Sequence, residues 1–176
     1  DLDNNIMLDE AKLIEVIGKS DTSDNDKVTA CQNLGWCGGD KAVEALAGLL
    51  NHEKAVLRHA ARYGLEMIPG PASEKALTDA AERLSGPALA GVLQSLGNCG
   101  GEKSVATLAR HTVSADAVVS EAAIRALGKL GMPAAMEALK PRLGKCPKSA
   151  AAYLEGAEII ARANPLQAAR YYADIR

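Results

Sequence analysis

Apolar residues recur along this chain with a period of 31 residues. Leucines stand at this spacing at Leu34, Leu65, Leu96 and Leu127. Twelve residues after each comes a second leucine, at Leu46, Leu77, Leu108 and Leu139. Four residues before each first leucine lies a small or apolar residue, at Ala30, Ala61, Val92 and Ala123. Because residues four apart share one face of an α-helix, the pattern predicts repeated helices that each bury one stripe.

Each repeat has the pattern of two helices joined by a tight turn. In the segment "AVLRHAARYGLEMI", an apolar stripe is predicted at helical spacing at Val56, Ala60, Tyr63 and Met67. The following "PGP" is predicted to end this helix, since proline cannot continue the hydrogen-bond ladder and glycine can turn. The next segment, "SEKALTDAAERL", is predicted to be the second helix, with Ser73 as its N-cap.

Less regular copies flank the four clear repeats. The segment "LDEAKLIEVIG" has the pattern of an unpaired second helix. The segment "SAAAYLEGAEIIARANPLQAARYYADI" has that of a fifth pair, with a one-residue shift at Asn164 and Pro165. We therefore predict an all-α fold, a right-handed α-α superhelix of about five helix pairs. Residues 1–176 are expected to form one repeat domain whose atypical terminal repeats act as caps.

Composition agrees with closely packed helices and excludes two classes of partner. The chain is 48% hydrophobic but only 3% aromatic, with no Phe, so small side chains dominate the predicted core. A formal charge of −2 gives no reason to expect nucleic acid as a partner. No apolar run approaches the roughly 18 residues of a membrane helix, so membrane insertion is not expected. The chain begins at Asp1 without a signal-peptide pattern, and we expect it to be part of a longer protein.

Two similar segments, "LGWCGGDKAV" and "LGNCGGEKSV", place a cysteine before a glycine pair. In the other copies the position of Cys37 and Cys99 is held by Ile68 and Leu130, so cysteine is predicted to serve there as a hydrophobic residue that closes the turn onto the core. Two repeats separate Cys37 from Cys99, roughly 20 Å, whereas a disulfide needs Cα atoms within about 7 Å. The glycines follow a helix and lack the ending of a phosphate-binding loop. We therefore predict no metal and no cofactor.

The segments "LLNHEKAVLRHAARYGLEMI" and "ADAVVSEAAIRALGKLGMPAAMEAL" resemble HEAT repeats of the short bacterial class often labelled phycobilisome-lyase HEAT-like. The resemblance extends over roughly residues 25–145. It implies an armadillo-like superhelix. Such repeats occur in scaffolds, lyases, hydroxylases and repair proteins, so the resemblance alone assigns no activity.

Two enzyme classes of this fold are tested by the residues that their chemistry needs. Deoxyhypusine hydroxylase binds two irons with His-Glu pairs, and none is present at the equivalent positions, which are Val28-Thr29, His59-Ala60, Ala90-Gly91 and Glu121-Ala122. The pair His52-Glu53 lies out of register, in a predicted loop. HEAT-like DNA glycosylases use a basic groove with aromatic residues, and this chain has one Trp and a slightly acidic charge. We therefore predict no catalytic residues.

The remaining prediction is an interaction scaffold whose second helices line a concave surface. The candidate contacts are Trp36, Lys41, Glu44, Lys75, Asp79, Glu82, Arg110 and His111. The alternative is an ordinary solvated helix surface. At the position of Trp36 the other repeats have Met67, Asn98 and Lys129, which indicates a place that can face water. Trp36 is either a partner contact or a lid over the loop "SDTSDND".

The expected partner is another protein or a neighbouring domain of the same chain. Relatives of this type accompany secreted or periplasmic carbohydrate-processing domains, so the resemblance implies a non-catalytic accessory role inside a larger bacterial protein. The competing hypothesis is an enzyme of the HEAT-like lyase type, or the non-catalytic part of a hydrolase. The compartment is left open by the sequence.

Overall fold

A computed structural model describes residues 9–175, and none of these residues forms a β-strand. The described residues form eleven α-helices and one 3-10 turn. They are α1 (Glu10–Gly18), α2 (Asp24–Cys37), α3 (Asp40–Gly48), α4 (Ala55–Met67), α5 (Pro71–Ala81), α6 (Gly86–Cys99), α7 (Glu102–His111), α8 (Ala117–Leu130), α9 (Pro133–Leu139), the 3-10 turn Lys140–Arg142, α10 (Ser149–Ala163) and α11 (Pro165–Asp174). The predicted all-α class is confirmed. The helices α2 to α11 form the five predicted pairs, and α1 is the unpaired helix that precedes them.

The chain divides into two compact units, the first ending at Leu84 and the second beginning at Ser85. In the first unit α2 packs on α4, and α3 packs on α5. In the second unit α6 packs on α8, α8 on α10, and α7 on α9. Within each unit, therefore, first helices contact first helices and second helices contact second helices. That residues 1–176 form a single domain stays a prediction.

The residues that define the 31-residue pattern form the core. All eight leucines of the pattern have 0% of their surface exposed. The four small or apolar residues that precede them are at most 2% exposed. The burial predicted for the 31-residue pattern is therefore confirmed in all four repeats, in both units.

Glycines directly after the first leucine of a repeat set the distance between neighbouring first helices. A Cβ added to Gly97 on α6 would lie 2.6 Å from the Cα of Ala126 on α8. A Cβ added to Gly128 on α8 would lie 2.5 Å from the carbonyl oxygen of Ala152 on α10. Both distances are too short for any side chain, so the backbones of these helices meet where glycine stands.

The junction between α4 and α5 differs from the prediction in two respects. Pro71 is the first residue of α5 rather than a helix stop, a position where its missing N–H costs nothing. Gly70, with φ of 110°, is the N-cap residue, and few residues other than glycine adopt that conformation. The prediction that Ser73 caps this helix is wrong, because Ser73 lies within the first turn and is buried. Its Oγ donates a hydrogen bond to the carbonyl oxygen of Ile68 at 3.2 Å.

The unpaired helix α1 supplies the cap that α3 cannot supply for itself. Gly39 precedes α3 and has no side chain to accept from the exposed amides of the helix. Glu10 Oε1 accepts instead, from the amide of Gly39 at 2.7 Å and from that of Ala42 at 3.2 Å. A carboxylate at this end also interacts favourably with the helix dipole.

The fifth pair keeps the core pattern but shifts its register. Tyr153 and Ala157 take the buried positions that Ala123 and Leu127 hold in α8, at an offset of 30 residues instead of 31. Strict continuation of the spacing would place the leucine at position 158, where an exposed Glu158 stands. In the second helices the offset is 32, since Pro133 and Pro165 each begin a helix.

An aromatic and ionic cluster fastens α11 to α9 and α10. The rings of Tyr153 and Tyr171 are at most 1% exposed and meet edge to face, with centroids 6.0 Å apart. The Tyr153 hydroxyl donates to Asp174 Oδ2 at 2.7 Å, and Lys140 Nζ donates to Asp174 Oδ1 at 2.8 Å. The guanidinium of Arg170 lies 4.4 Å from the centre of the Tyr171 ring and also bonds the Tyr171 hydroxyl. The last helix is thus held by a buried ring contact and by partly exposed polar contacts.

Replacing Tyr153 with Phe is expected to lower the free energy of unfolding by about 1–2 kcal/mol at pH 7, because a hydrogen bond to a carboxylate is lost. Burial, and then the hydrogen bond to Asp174, raise the pKa of Tyr153. A raised folded-state pKa gives stability that is present below the unfolded value near pH 10 and is lost as the pH rises above it. Urea unfolding should therefore show a steeper loss of stability above about pH 10 for the wild type than for Y153F. Equal slopes would contradict this, and Tyr63→Phe, on a 40% exposed residue, should change neither quantity.

Candidate interaction surface

The charged candidates on the second helices are solvent-accessible in both units. Five of them lie in the first unit and two in the second. Six are exposed and His111 is partly buried; the set is Lys41, Glu44, Lys75, Asp79, Glu82, Arg110 and His111. This exposure fits a binding surface and an ordinary solvated surface equally well. The two are distinguished by the contacts that each side chain makes within the protein.

On α5 the main feature is an ion pair between Lys75 and Asp79. Lys75 Nζ lies 2.5 Å from Asp79 Oδ2, and the two side chains are 75% and 54% exposed. Exposed pairs at this helical spacing contribute only about 0.3–0.5 kcal/mol. Glu44 on α3 holds the repeat position that Lys75 holds on α5, so opposite charges alternate along this surface. A weakly held pair of this kind can exchange its internal contact for one with a partner at low cost.

On α7 the local structure itself accounts for the two candidates. Arg110 and His111 lie in the last turn of the helix, where positive charge interacts favourably with the carbonyl end. Arg110 Nη2 also donates to Thr107 Oγ1 at 3.4 Å. These two residues therefore have a role within their own helix.

Trp36 lies on a first helix, α2, and is 70% exposed. A lid over the loop of residues 20–26 would be largely buried, so that alternative is wrong. Residues at the position of Trp36 in consecutive repeats are side by side: in the second unit Lys129 Nζ donates to Asn98 Oδ1 at 2.8 Å. In the first unit the corresponding neighbour of Trp36 is Met67, whose Cβ packs against Gly35.

The helix α4 carries two apolar stripes, and only one faces the core. The buried stripe contains Leu57, Ala60 and Gly64. Of the predicted stripe only Ala60 is buried, whereas Val56 is 51% exposed, Tyr63 is 40% exposed and Met67 is partly buried. Tyr63 lies one turn before Met67 on this exposed side. We call Trp36, Tyr63 and Met67 together the Trp36 patch. The helical spacing of Tyr63 and Met67 was visible in the sequence, but their direction was not.

His59, one turn before Tyr63, has a structural partner. Arg62 Nη2 lies 3.1 Å from its Nδ1 and donates a hydrogen bond to it. Burial lowers the pKa of Arg62, which is partly buried beside it. The nearby Arg58 donates to the carbonyl oxygens of His52 and Glu53, at 2.7 and 2.8 Å, and so fixes the loop before α4.

The cysteines occupy three different environments, and none forms a disulfide. Cys31 is fully buried, and burial raises its pKa to about 11. Cys37 is partly buried, and burial followed by the charge of Glu10 raises its pKa. Cys99 is exposed, and its Sγ donates to the carbonyl oxygen of Ser95 at 3.2 Å. The prediction that this position closes onto the core is therefore wrong for Cys99.

The described part of the chain has neither a cluster of potential metal ligands nor a helix suited to cross a membrane. Within residues 9–175 no three His, Cys, Asp or Glu side chains come together as potential metal ligands. Among the described helices, none combines the length and the apolar character that crossing a membrane requires.

Both units contain cavities away from the Trp36 patch. In the second unit a cavity of about 250 Å³ lies between α6 and α8, with Gln94, Arg125 and Lys129 in its lining. In the first unit a shallower cavity of about 640 Å³ adjoins the ion pair between Lys54 and Asp24, whose N–O distance is 2.9 Å. Neither lining contains a cysteine, so neither assembles a thiol nucleophile with a base.

Residues 85–154 match the family model described as HEAT repeats. The match lies within the second unit. A solved structure of the complex of CpcE and CpcF of phycocyanin lyase from Nostoc sp. PCC7120 is similar, with 19% identity and a TM-score of 0.51. The similarity covers 99% of this chain and 85% of that chain. It confirms the predicted all-α HEAT-like fold.

Human deoxyhypusine hydroxylase, solved in complex with glycerol, is also similar, with 14% identity and a TM-score of 0.46. That similarity covers 86% of this chain and 72% of the human chain. No curated protein sequence matches this chain significantly. The similarity to the Nostoc structure concerns the fold of this chain and not its activity.

Replacing Trp36 with alanine is expected to leave the melting temperature within about 2 °C of the wild type, because surface substitutions change stability by at most about 0.5 kcal/mol. The side chain is 70% exposed and contributes little to the core. Thermal unfolding followed by circular dichroism measures this. A clear fall of the melting temperature would mean that Trp36 packs on its own unit.

Proposed function

We propose that this chain is a non-catalytic protein-interaction module in which HEAT repeats present the Trp36 patch and the charged second-helix surface to a partner. The partner is another protein or a neighbouring domain of the same chain. The single observation that carries the proposal is a tryptophan that is 70% exposed at the repeat position next to that of Met67, with the 40% exposed Tyr63 one helical turn before Met67. Tryptophan, tyrosine and methionine are enriched in interfaces, and tryptophan and tyrosine dominate binding hot spots.

The chemistry of the patch fits a protein partner. The side chains are large, and Trp and Tyr lose little conformational freedom when they bind, so they give contact area at low entropic cost. Contiguous apolar surface on a soluble protein commonly marks an interaction site. The patch lies on regular helices whose cores are fully buried, so it is held ready before a partner arrives.

The charged residues of α3 and α5 contribute differently from the patch. The alternation of Glu44, Lys75 and Asp79 favours one orientation of a partner with complementary charges. Exposed charges at the rim of an interface act mainly on the association rate and on salt dependence. We therefore assign affinity to the Trp36 patch and selectivity to these charges.

The comparisons support a protein partner in a limited way. The similar structure from Nostoc sp. PCC7120 is a complex of two proteins, so a fold of this kind can be used for protein association. The lyase-type alternative would have this chain act on phycocyanin or a similar protein, and incubation with phycocyanin tests it. A role as accessory to carbohydrate processing within a larger bacterial protein is proposed from the resemblance of the repeats alone.

The test compares capture of a partner by the full chain and by two surface variants. Proteins retained from a lysate of the source organism are identified, one is purified, and its affinity is measured by calorimetry. Trp36→Ala should weaken binding by roughly thirtyfold or more if Trp36 is a hot spot. Exchanging the two charges, Lys75→Asp with Asp79→Lys, should slow association while preserving the pair within the helix.

The matched control is Val113→Ala, which removes a residue that is 68% exposed on the second unit. It should bind like the wild type. Unchanged affinity of both the Trp36 variant and the charge exchange would overturn the proposal.

A further inference from the structure

The cavity between α6 and α8 in the second unit is lined by two cations and no acid. Its volume is about 250 Å³, and its lining consists of Gln94, Ala122, Arg125, Ala126 and Lys129. The three polar residues are exposed, whereas Ala126 is 1% exposed and lies at the base. The two backbones meet there, since a Cβ added to Gly97 would lie 2.6 Å from the Cα of Ala126. We call this site the α6–α8 cavity.

The two cations stand one helical turn apart on α8 and are held weakly by their neighbours. Arg125 Nη2 lies 3.6 Å from Glu121 Oε2, and these side chains are 62% and 41% exposed. Such exposed pairs contribute little to stability. Lys129 Nζ donates to Asn98 Oδ1 at 2.8 Å, and this neutral amide leaves the charge of the ammonium uncompensated. Both cations can therefore turn toward an anion at low cost.

The charges around the α6–α8 cavity leave it positive. The helix α6 contains no Asp, Glu, Lys, Arg or His. The helix α8 contains one acid, Glu121, and two bases, so the two helices together carry a charge of +1. On α10, which also packs on α8, Glu155 and Glu158 are exposed acids, but neither forms an ion pair with Arg125 or Lys129. A single negative charge matches this surplus.

The equivalent groove of the first unit has different chemistry. Two repeats earlier, the positions of Arg125 and Lys129 are held by Tyr63 and Met67 of the Trp36 patch. The position of Gln94 is held by Gln32, which is also exposed. The helices that border this groove, α2 and α4, pack on each other as α6 and α8 do. The repeats therefore present one kind of groove with an apolar surface in the first unit and a cationic surface in the second.

The volume limits the occupant of the α6–α8 cavity to one small group. Pockets for drug-sized ligands measure roughly 300–1,000 Å³, and this cavity is smaller. A guanidinium can hold a carboxylate through two parallel hydrogen bonds, and an ammonium adds a point charge. The amide of Gln94 can donate one more hydrogen bond, and the methyl groups of Ala122 and Ala126 suit a short aliphatic stem. These features fit the side chain of an acidic amino acid.

We propose that the α6–α8 cavity binds the carboxylate of an aspartate or glutamate side chain of the protein partner. This inference rests on the proposed function, because one carboxylate makes too few contacts for tight binding unless it belongs to a larger interface. A phosphate group fits less well, since its charge of about −1.5 to −2 exceeds the surplus of +1 and meets the neighbouring Glu121. The contact favours acidic partners and makes their association salt-dependent.

The test uses N-acetylglutamate methylamide, which is a glutamate side chain on an uncharged backbone, titrated into the full chain at low ionic strength. Nuclear magnetic resonance follows the backbone amides of residues 122–129 and the Nε–H of Arg125. We expect these signals to shift with a dissociation constant of roughly 1–10 mM, as for a ligand of this size. N-acetylglutamine methylamide, which lacks the charge, should leave them unchanged, and inorganic phosphate should bind more weakly.

Three variants relate binding of this probe to the cavity. Arg125→Gln should weaken it at least roughly tenfold, because the bidentate partner is lost. Ala122→Leu should weaken it similarly, because leucine fills the cavity without changing any charge. The matched control Lys145→Gln removes an exposed positive charge of the same unit outside the lining and should bind like the wild type. Unchanged circular dichroism will show that the variants fold.

Trp36→Ala, the variant that tests the proposed function, should not change binding of the glutamate probe, so the two proposals can fail separately. The absence of any shift up to about 50 mM probe would overturn the present one. Equal binding of phosphate or of the glutamine probe would do the same, as would wild-type binding by A122L or equal losses for K145Q and R125Q. A dissociation constant below about 10 µM would also overturn it, since the ligand would then be a free acid.

Discussion

Replacing Leu96 with alanine is expected to lower the free energy of unfolding by about 3–4 kcal/mol, within the range measured for buried Leu→Ala changes. Leu96 is 0% exposed and is followed by Gly97, where α6 and α8 meet most closely. The helices cannot move together to fill the lost volume, because their backbones are already in contact at Gly97. The cavity should therefore persist, and its cost adds to the lost transfer free energy. Urea unfolding followed by circular dichroism measures the change.

The control for Leu96 is Val113→Ala, which truncates an apolar side chain that is 68% exposed. It should change stability by less than about 0.5 kcal/mol. A loss below about 1 kcal/mol for L96A would mean that this core rearranges easily, against the packing described for the second unit.

The second large effect is expected at Gly128. Alanine normally stabilises a helix by up to about 1 kcal/mol relative to glycine. At Gly128, however, the added Cβ would lie 2.5 Å from the carbonyl oxygen and 2.9 Å from the Cα of Ala152. These are backbone atoms, so α10 must shift as a whole, and we expect Gly128→Ala to cost about 2–3 kcal/mol. The same unfolding measurement provides the value.

The same substitution at Gly48 should have the opposite sign. Gly48 ends α3 and is exposed, and a Cβ added there meets nothing within 4 Å. Gly48→Ala should raise stability by a few tenths to about 1 kcal/mol. If both variants were stabilised, the close approach of α8 and α10 would not be the reason for glycine at position 128.

The 31-residue leucine pattern predicted the helices and their buried stripes because burial follows helical periodicity, which is a property of the sequence. It also predicted that the glycine pairs lie in the turns between helices. The role of the glycine that directly follows the first leucine of a repeat was not predicted. At Gly97 and Gly128 this glycine fixes the distance between neighbouring first helices. That distance depends on two helices 30 residues apart in sequence, and a single-helix pattern does not report it.

Local side-chain directions were predicted less well than the helices. Ser73 has the right chemistry for an N-cap, but Pro71 begins the helix earlier and places Ser73 inside it. Cys99 has the same sequence neighbours as Cys37, yet it is exposed where Cys37 is partly covered. In the first unit Glu10, from a helix outside the repeat pattern, lies close enough to Cys37 to affect its pKa. No pattern within one repeat could have shown this.

The candidate surface was predicted in part. The exposure of Lys41, Glu44 and Lys75 follows from the helical spacing of the buried positions between them. The neighbours of Trp36 could not be predicted the same way, because Tyr63 and Met67 are apolar and a periodicity calculation assigns apolar residues to the core. Only the packing of α4 on α2 shows that this helix has more apolar surface than its core can bury.

Because Cys31 is buried, the rate at which its thiol is alkylated reports how often the first unit opens transiently. Cys31 is 0% exposed on α2, its carbonyl oxygen lies close to Gly64 of α4, and burial raises the pKa of its thiol to about 11, so alkylating reagents reach a reactive thiolate only when the packing around α2 opens. Cys99, exposed on the second unit, reacts without any such opening and serves as the internal standard. The ratio of the two labelling rates therefore measures how often the Trp36-bearing helix detaches from its neighbour, without an added probe.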